Sequence, residues 1–185
     1  MANRVSYFVD LTKCVGCRAC QVACKQWNLN AAEKTTFKGG YGNPPSLSPS
    51  TFTHIKFKEL KNNGSLTWIF RKHGCYHCEN AACVNVCPTE PKALSKHEMG
   101  FTVRNQELCI GCGACVEACP FKVPQLDTEI MKAKSCTFCI DRVTEGKQPA
   151  CVKTCPPGAL TFGKREDILK LAYERQKQVP GTKVY

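Results

Sequence analysis

The fold of this chain is decided by residues 109–120, CIGCGACVEACP, in which four cysteines have the spacing C-x2-C-x2-C-x3-C and a proline follows the last. Residues 14–24 repeat the same spacing. The run at residues 75–87 is C-x2-C-x4-C-x3-C, and the run at 136–155 is C-x2-C-x11-C-x3-C. Because these four runs use all sixteen cysteines of the chain, the cysteines fall into four groups of four.

This spacing is typical of cysteines that ligate [4Fe–4S] clusters. A cubane cluster has four iron corners, and each corner takes one soft thiolate. Three cysteines at C-x2-C-x2-C wrap three corners of one cube, whereas the fourth lies at a helix start and ligates a partner cluster. Gly16, Gly111 and Gly113 lie inside these loops, where glycine permits positive φ and close backbone approach. Sixteen thiolates match four clusters with four ligands each.

Cysteines also form disulfides and structural zinc sites, which are the two other interpretations of these runs. Disulfides need an oxidising compartment, and the sequence shows no secretory leader. Structural zinc uses C-x2-C pairs, but normally as two pairs with a longer spacer between them. The second and fourth runs deviate most from the cluster spacing, so a zinc site remains an alternative there. A zinc-stabilised interaction module is therefore the remote alternative for the whole chain.

Composition and charge narrow the class of protein further. The chain has 185 residues, enough for one domain or two small fused halves. Its formal charge is +11, but four oxidised clusters with their thiolates carry about −2 each, which leaves roughly +3. The basic residues therefore balance cluster charge, and we expect no nucleic-acid binding. With no stretch of ~20 apolar residues, we expect no membrane span and a soluble, cytoplasmic protein, periplasmic only if exported with a partner.

Strand signals precede the cysteine runs, and short helices are expected after Cys20, Cys83 and Cys115. The strand signals are Val5–Val9, Leu66–Phe70 and Gly100–Val103. A repeated unit of strand, cluster loop and helix predicts a loop-rich α+β fold. Its units are tandem bacterial-ferredoxin-like β-α-β units that bind the clusters.

Residues 25–74 form an insertion between the first two runs. Strands at Phe52–Glu59 and Leu66–Phe70 flank Asn62-Asn63-Gly64, which predicts a β-hairpin. The stretch GGYGNPP at 39–45 predicts irregular backbone. Long loops of this kind often contact a partner, and a disordered surface loop is the alternative. After the last run, Arg165–Tyr173 predicts an amphipathic helix that packs on its own domain.

No substrate chemistry is visible in the sequence. The histidines His54, His73, His77 and His97 lack the carboxylate partners of an acid–base site, and no glycine-rich nucleotide loop is present. We therefore predict no catalytic residue. His77 is interpreted as structural rather than as a donor to a cluster sulfur, and Trp27 and Trp68 as core residues. Three lysines beside the loops are candidates for raising cluster potentials: Lys13, Lys25 and Lys134.

The chain resembles the four-cluster iron–sulfur subunits of molybdenum- and tungsten-pterin oxidoreductases. These include the electron-transfer subunits of formate dehydrogenase, dimethyl sulfoxide reductase and multisubunit tungsten aldehyde oxidoreductase. The stretches that carry the resemblance are 10–28, 42–57, 75–89, 109–124 and 136–160. KQWN at 25–28 and NPP at 43–45 favour the formate dehydrogenase and aldehyde oxidoreductase branch. Residues Pro88–Leu94 replace the short turn that is usual in the family, so we expect local remodelling there.

The resemblance implies that the first run pairs with the fourth and the second with the third. The implied ligands are Cys14, Cys17, Cys20 and Cys155 for cluster 1, Cys24, Cys136, Cys139 and Cys151 for cluster 2, Cys75, Cys78, Cys83 and Cys119 for cluster 3, and Cys87, Cys109, Cys112 and Cys115 for cluster 4. The implied domains are 1–24 with 125–163, and 75–124, each binding two clusters, with the insertion 25–74 and a helix and tail at 164–185.

The function that the resemblance implies is electron transfer without catalysis. The expected partner is a tungsten- or molybdenum-pterin catalytic subunit in a hetero-oligomeric complex, with an FAD-containing, NAD-linked subunit or another redox partner as acceptor. Membrane-bound members continue into an anchor helix, and this chain ends at Tyr185, so we expect a soluble complex. That form is most similar to the companion subunit of soluble aldehyde oxidoreductases, slightly ahead of soluble formate dehydrogenase. A free polyferredoxin carrier is the alternative.

Overall fold

A computed structural model describes residues 3–184, apart from the side chain of Asn62. Met1, Ala2 and Tyr185, which the predicted domain boundaries include, lie outside the described residues. The described strands are β1 (Val5–Val9), β2 (Thr53–Asn62), β3 (Ser65–Gly74), β4 (Leu94–Lys96), β5 (Thr102–Arg104), β6 (Gln125–Asp127), β7 (Lys132–Lys134) and β8 (Leu160–Lys164). The helices are α1 (Ala19–Trp27), α2 (Ala82–Asn85), α3 (Ala114–Ala118), α4 (Ile140–Val143), α5 (Ala150–Lys153) and α6 (Arg165–Gln178).

The strands form two-stranded antiparallel sheets that pair β1 with β8, β2 with β3, β4 with β5, and β6 with β7. The pairing of β1 with β8 runs from Val5 opposite Lys164 to Val9 opposite Leu160, so it joins the two ends of the chain. Helix α1 packs on α5 beside this sheet. The fold is therefore α+β, as predicted, with short sheets connected by loops.

The predicted hairpin in the insertion is confirmed, and its strands are longer than expected. Asn62 pairs with Ser65, so Asn63 and Gly64 form a two-residue turn. Their φ angles are 45° and 81°, and positive φ at both positions matches the right-handed twist of the flanking strands. The predicted strand before the first run is confirmed as β1, and the predicted helices are confirmed as α1, α2 and α3.

The insertion is held by hydrogen bonds to one carboxylate. Glu33 Oε1 accepts hydrogen bonds from Ser48 Oγ at 2.7 Å, from Ser50 Oγ at 2.9 Å and from the Thr51 hydroxyl. Lys25 Nζ lies 3.5 Å from the same oxygen. These contacts tie residues 48–51, just before β2, to Glu33 and Lys25.

The C-terminal helix begins at Arg165 as predicted and continues to Gln178. It packs on β1 and β8 with Ile168 and Ala172 buried. Near its end, the Arg175 guanidinium donates to the buried Asp10 carboxylate at 2.8 Å. Over residues 3–184, no helix combines the length and the apolar character needed to cross a membrane.

The prediction that both tryptophans are core residues was wrong. Trp27 is 43% exposed, and it lies under the Arg142 guanidinium with Nε1 donating to Asp141 at 2.9 Å. Trp68 is 40% exposed and packs beside Tyr41, with 4.8 Å between ring centroids. An aromatic ring with a polar edge is stable in such half-exposed positions, and the sequence pattern did not distinguish them from core positions.

Candidate iron–sulfur centres

Short helices carry cysteines from different runs toward each other. Cys20 and Cys24 lie one turn apart in α1, and helix α5 contains Cys151 and ends just before Cys155. Because α1 packs on α5, the first and fourth runs meet. In the same way, α2 packs on α3 and brings the second run to the third.

Three cavities are each lined by four cysteines, and in each the four come from two different runs. The first is lined by Cys14, Cys17, Cys20 and Cys155. The second is lined by Cys75, Cys78, Cys83 and Cys119. The third is lined by Cys87, Cys109, Cys112 and Cys115. These are the groups that the resemblance implied for clusters 1, 3 and 4.

The remaining four cysteines are close enough to influence one another's ionisation. Burial raises the pKa of Cys136 well above its ordinary value, and Cys24, Cys75 and Cys151 raise it further. Burial also raises the pKa of Cys139 to about 11, with Cys151 and Cys24 again contributing. The geometry agrees, since α1 with Cys24 packs on α5 with Cys151, and the N–H of Ala150, next to Cys151, donates to Cys139 Sγ at 3.5 Å.

The donor set fits an iron–sulfur cluster better than a single ion. Within residues 3–184, no three His, Cys, Asp or Glu side chains converge closely enough to hold one metal ion. The thiols instead surround cavities, as a multi-iron group requires, whereas zinc draws four ligands to about 2.3 Å. Burial raises the pKa of Cys20 to about 12 and that of Cys75 to about 11, so bound iron is needed to hold these sulfurs as thiolates.

Backbone N–H groups point at several of the sulfurs. His77 N donates to Cys75 Sγ at 3.4 Å and Phe138 N to Cys136 Sγ at 3.4 Å. In the same way, Ala133 N donates to Cys109 Sγ at 3.4 Å. Such hydrogen bonds stabilise negative charge on sulfur and are one means of setting a cluster's reduction potential.

The Gly111→Ala variant is expected to lose the cluster 4 site, while Gly113→Ala keeps it. A Cβ at Gly111 would lie 2.7 Å from the carbonyl carbon of Met131, in backbone that cannot yield without moving the β6–β7 hairpin. A Cβ at Gly113 meets nothing within 4 Å, although both positions have positive φ. We expect at least about 3 kcal/mol of destabilisation for Gly111→Ala and about 1 kcal/mol for Gly113→Ala.

Anaerobic urea unfolding and iron content of the two glycine variants check this. Similar unfolding midpoints and equal iron in both variants would contradict the expected clash at Gly111.

A buried lysine lies among the cysteines. Lys72 is only 6% exposed, and its Nζ lies 4.8 Å from the centre of the Tyr7 ring. Burial alone lowers the pKa of Lys72, but Tyr7, Cys151, Cys136 and Cys20 more than offset this, so the pKa is raised well above its ordinary value. None of the ion pairs found in the described part of the chain includes Lys72. A buried cation needs a counter-charge, and anionic clusters supply one.

Two of the three lysines predicted to raise cluster potentials have other partners. Lys25 Nζ donates to the carbonyls of Ala31 and Ser50, and Lys134 Nζ pairs with Asp127 at 2.8 Å. Lys13 is exposed. One cation that lies among the sulfurs is Lys72, which the sequence analysis missed. Arg104 was missed too, and its guanidinium donates to Cys115 Sγ at 3.5 Å.

His77 has contacts with sulfur that the sequence analysis did not favour. Its side chain is buried, and Nε2 lies 3.4 Å from Cys136 Sγ. Burial lowers the pKa of His77 to about 3, and the nearby Lys72 and Lys96 cations lower it further, so the imidazole is neutral. The interpretation of His77 as merely structural was therefore wrong.

Comparison with known proteins gives a consistent result. Residues 66–165 and residues 13–91 each match a family described as a 4Fe-4S dicluster domain. The iron-sulfur subunit of the nitrate-inducible formate dehydrogenase of Escherichia coli (strain K12) is 44% identical over 171 residues, which cover 92% of this chain and 58% of that subunit. This chain thus spans less than two thirds of the E. coli relative.

Two relatives are matched over more of their length. Formate dehydrogenase 2 subunit beta (cytochrome c-553) of Nitratidesulfovibrio vulgaris is 37% identical over 177 residues, covering 92% of this chain and 81% of that subunit. Formate dehydrogenase subunit beta of Megalodesulfovibrio gigas is 34% identical over 178 residues, covering 94% and 82%.

The short sheets, the cluster loops and the grouped cysteines define a ferredoxin-type iron–sulfur protein with four [4Fe–4S] clusters. The chain belongs to the family of formate dehydrogenase iron–sulfur subunits. The predicted cofactors and the predicted family are thereby confirmed, and the relatives named above are subunits of formate dehydrogenases, not of the aldehyde oxidoreductases that the sequence analysis put slightly ahead.

Proposed function

We propose that this chain conducts electrons between a formate dehydrogenase catalytic subunit of the molybdenum- or tungsten-pterin type and a second redox partner. The relatives named above are formate dehydrogenase subunits, which supports a catalytic partner on the formate dehydrogenase side of the resemblance. When bound, each cluster supplies a one-electron redox site. The catalytic step belongs to the partner, since this chain contributes ligands and positioning groups. An FAD-containing, NAD-linked subunit is the acceptor we propose for a hetero-oligomeric complex.

We also propose the ligand groups implied by the resemblance, with the first run joined to the fourth and the second to the third. Three cavities lined by four cysteines each support this assignment. The division into one half of 1–24 with 125–163 and another of 75–124 is proposed on the same basis, as are tandem ferredoxin-like β-α-β units. The β6–β7 hairpin belongs to the first half by these sequence bounds, but it contacts the other half, since Ala133 packs beside Cys109 and Cys115.

The observation that carries the proposed function is the position of the exposed cysteines. Cys17 and Cys112 are exposed, and the other fourteen are half-buried or buried. Cys17 belongs to the cluster 1 group and Cys112 to the cluster 4 group, so the two outer groups reach the surface. Beside them, Val15 is 59% exposed and Ile110 is 64% exposed. We call Val15 with Cys17, and Ile110 with Cys112, the two apolar edges. We propose that each edge contacts one redox partner.

The sixteen cysteines suit a reducing compartment, so a cytoplasmic location remains our prediction. A free polyferredoxin with no permanent partner is the second candidate, because it would use the same ligand groups.

Anaerobic purification of the native complex tests the proposed function. We expect about 16 iron and about 16 sulfide on this chain, a fixed ratio to a pterin-containing subunit, and reduction of the clusters by formate. Co-purification at no fixed ratio would favour the free carrier, and zinc without sulfide would exclude electron transfer.

Charged substitutions at the two apolar edges sharpen the test. Val15→Glu and Ile110→Glu each place a carboxylate beside one exposed cysteine, and they serve as controls for each other. We expect one variant to lose reduction by formate and the other to keep it but lose transfer to the acceptor. Reduction by dithionite should stay unchanged in both. If both variants retain both transfers, the two edges are not the contacts.

A further inference from the structure

The cysteine groups of each half are joined by helices, but the two halves have no such connection. Cys20 and Cys24 share α1 and belong to clusters 1 and 2, and Cys83 and Cys87 lie in and just after α2 and belong to clusters 3 and 4. Between the cluster 2 and cluster 3 groups, Cys75 raises the pKa of Cys136, and both sulfurs lie 3.4 Å from atoms of one residue, His77. The part of the molecule that connects these two sulfurs therefore connects the halves.

His77 forms a hydrogen bond to a sulfur on each side of this junction. Its backbone N–H donates to Cys75 Sγ at 3.4 Å, and its side-chain Nε2 lies 3.4 Å from Cys136 Sγ. Cys75 belongs to the cluster 3 group and Cys136 to the cluster 2 group. A single residue thus spans the two groups through one short chain of covalent and hydrogen bonds.

The protonation of the ring follows from its other nitrogen. The backbone N–H of Thr102 donates to His77 Nδ1 at 3.2 Å, and the Thr102 hydroxyl lies 2.9 Å from the same atom. A backbone N–H can only donate, so Nδ1 accepts and carries no proton. The proton of the neutral ring is then on Nε2, where it points at Cys136 Sγ.

The position of the ring is fixed by its neighbours. His77 is 8% exposed, and its ring meets Phe138 edge-on with 4.6 Å between centroids. Phe101 lies on another side at 6.3 Å. A ring held in this way keeps its N–H aimed at the sulfur without losing further side-chain entropy.

We propose that His77 is the residue that couples clusters 2 and 3, by donating to a sulfur ligand of each. This inference rests on the proposed function and on the proposed ligand groups. His77 acts as a positioning and tuning residue: it keeps its proton, and no covalent bond is made or broken there. Its N–H to Cys136 Sγ stabilises negative charge on that sulfur, which raises the potential of cluster 2. The same chain of covalent and hydrogen bonds, from Cys75 through His77 to Cys136, links the two halves.

The test compares His77→Phe, His77→Gln and a control. Phenylalanine fills the space beside Phe101 and Phe138 but donates nothing, whereas glutamine retains a donor. His97→Phe is the matched control, because His97 stacks on Phe101 at 4.7 Å and no hydrogen bond of its side chain to a cysteine sulfur is found in the described residues. The intact complex is titrated anaerobically and followed by electron paramagnetic resonance.

At a fixed potential near the midpoint, we expect the ratio of reduced to oxidised cluster 2 to fall about tenfold in His77→Phe, equivalent to about 59 mV for a one-electron couple. His77→Gln should recover part of this, and His97→Phe should change nothing. The rate at which electrons equilibrate between the two halves should fall several-fold in His77→Phe alone.

Unchanged cluster potentials and equilibration rates in His77→Phe, or equal changes in the control, would overturn the inference while leaving the proposed function intact. The proposed function fails separately, if the unmodified complex lacks four clusters or is not reduced by formate. Iron content is measured on every variant to show whether a change comes from cluster loss. If His77→Phe is short of iron, the cluster potentials of His77→Gln and His97→Phe are compared instead.

Discussion

The Cys155→Ala variant is expected to release the thiols of Cys14, Cys17 and Cys20, which lie near the other end of the chain. The reason is the cavity that these four cysteines line together. With one ligand missing, cluster 1 is lost or left with an open iron corner, and iron falls from about 16 toward about 12 per chain. If each run instead held its own cluster, the released thiols would be those of Cys136, Cys139 and Cys151.

Anaerobic alkylation followed by peptide mapping distinguishes the two assignments. Cys24→Ala is the reciprocal variant, since it should release the thiols of Cys136, Cys139 and Cys151 and leave those of the cluster 1 group protected. Label on Cys136 but not on Cys14 in the Cys155→Ala protein would reject the crossed assignment. Because Cys24 lies in the packed helix α1 and Cys155 directly follows the packed helix α5, equal loss of iron from all groups would report unfolding and would not identify ligands.

The cysteine spacing predicted the chemistry because a cubane restricts the separation of its ligands in sequence. Strand β1 and the hairpin turn at Asn63-Gly64 were also predictable, since both depend on local residue preferences. The approach of the first run to the fourth, which supports the proposed crossing, was not derivable from spacing. It follows from the pairing of β1 with β8 and from the packing of α1 on α5, contacts between residues far apart in sequence.

The environment of single polar residues was harder to predict. Arg71 and Lys72 are adjacent in β3, and the composition of the chain does not indicate which of the two is buried. Lys72 is buried because it pairs across β2–β3 with Ile55, which is 2% exposed, while Arg71 pairs with the exposed Lys56. Alternation along a strand predicts that the two point to opposite faces, but it does not say which face the cysteines cover.

The Lys72→Met variant is expected to lower the reduction potentials of clusters 1 and 2. Lys72 influences the ionisation of Cys20, a ligand proposed for cluster 1, and of Cys136 and Cys151, proposed for cluster 2. Its positive charge stabilises the extra electron of a reduced cluster, and methionine retains most of the side-chain volume without the charge. A unit charge about 8 Å away, at an effective dielectric constant of about 20, contributes roughly 2 kcal/mol.

This energy corresponds to roughly 90 mV, since about 1.4 kcal/mol and about 59 mV both represent a factor of ten for a one-electron couple. Clusters 3 and 4 should shift less, which separates a local charge effect from a general loosening of the fold. Potentiometric titration followed by electron paramagnetic resonance measures all four.

Arg71→Met is the control, because it removes the same charge from the exposed face of the same strand. Solvent and salt screen that charge, so its removal should shift the potentials by much less than Lys72→Met does. Equal shifts of the reduction potentials in the two variants would mean that the net charge of the protein, not the burial of Lys72 among the sulfurs, causes the shift. An unchanged potential for cluster 2 in Lys72→Met would mean that the buried ammonium is compensated by another group, and the counter-charge argument for Lys72 would then be wrong.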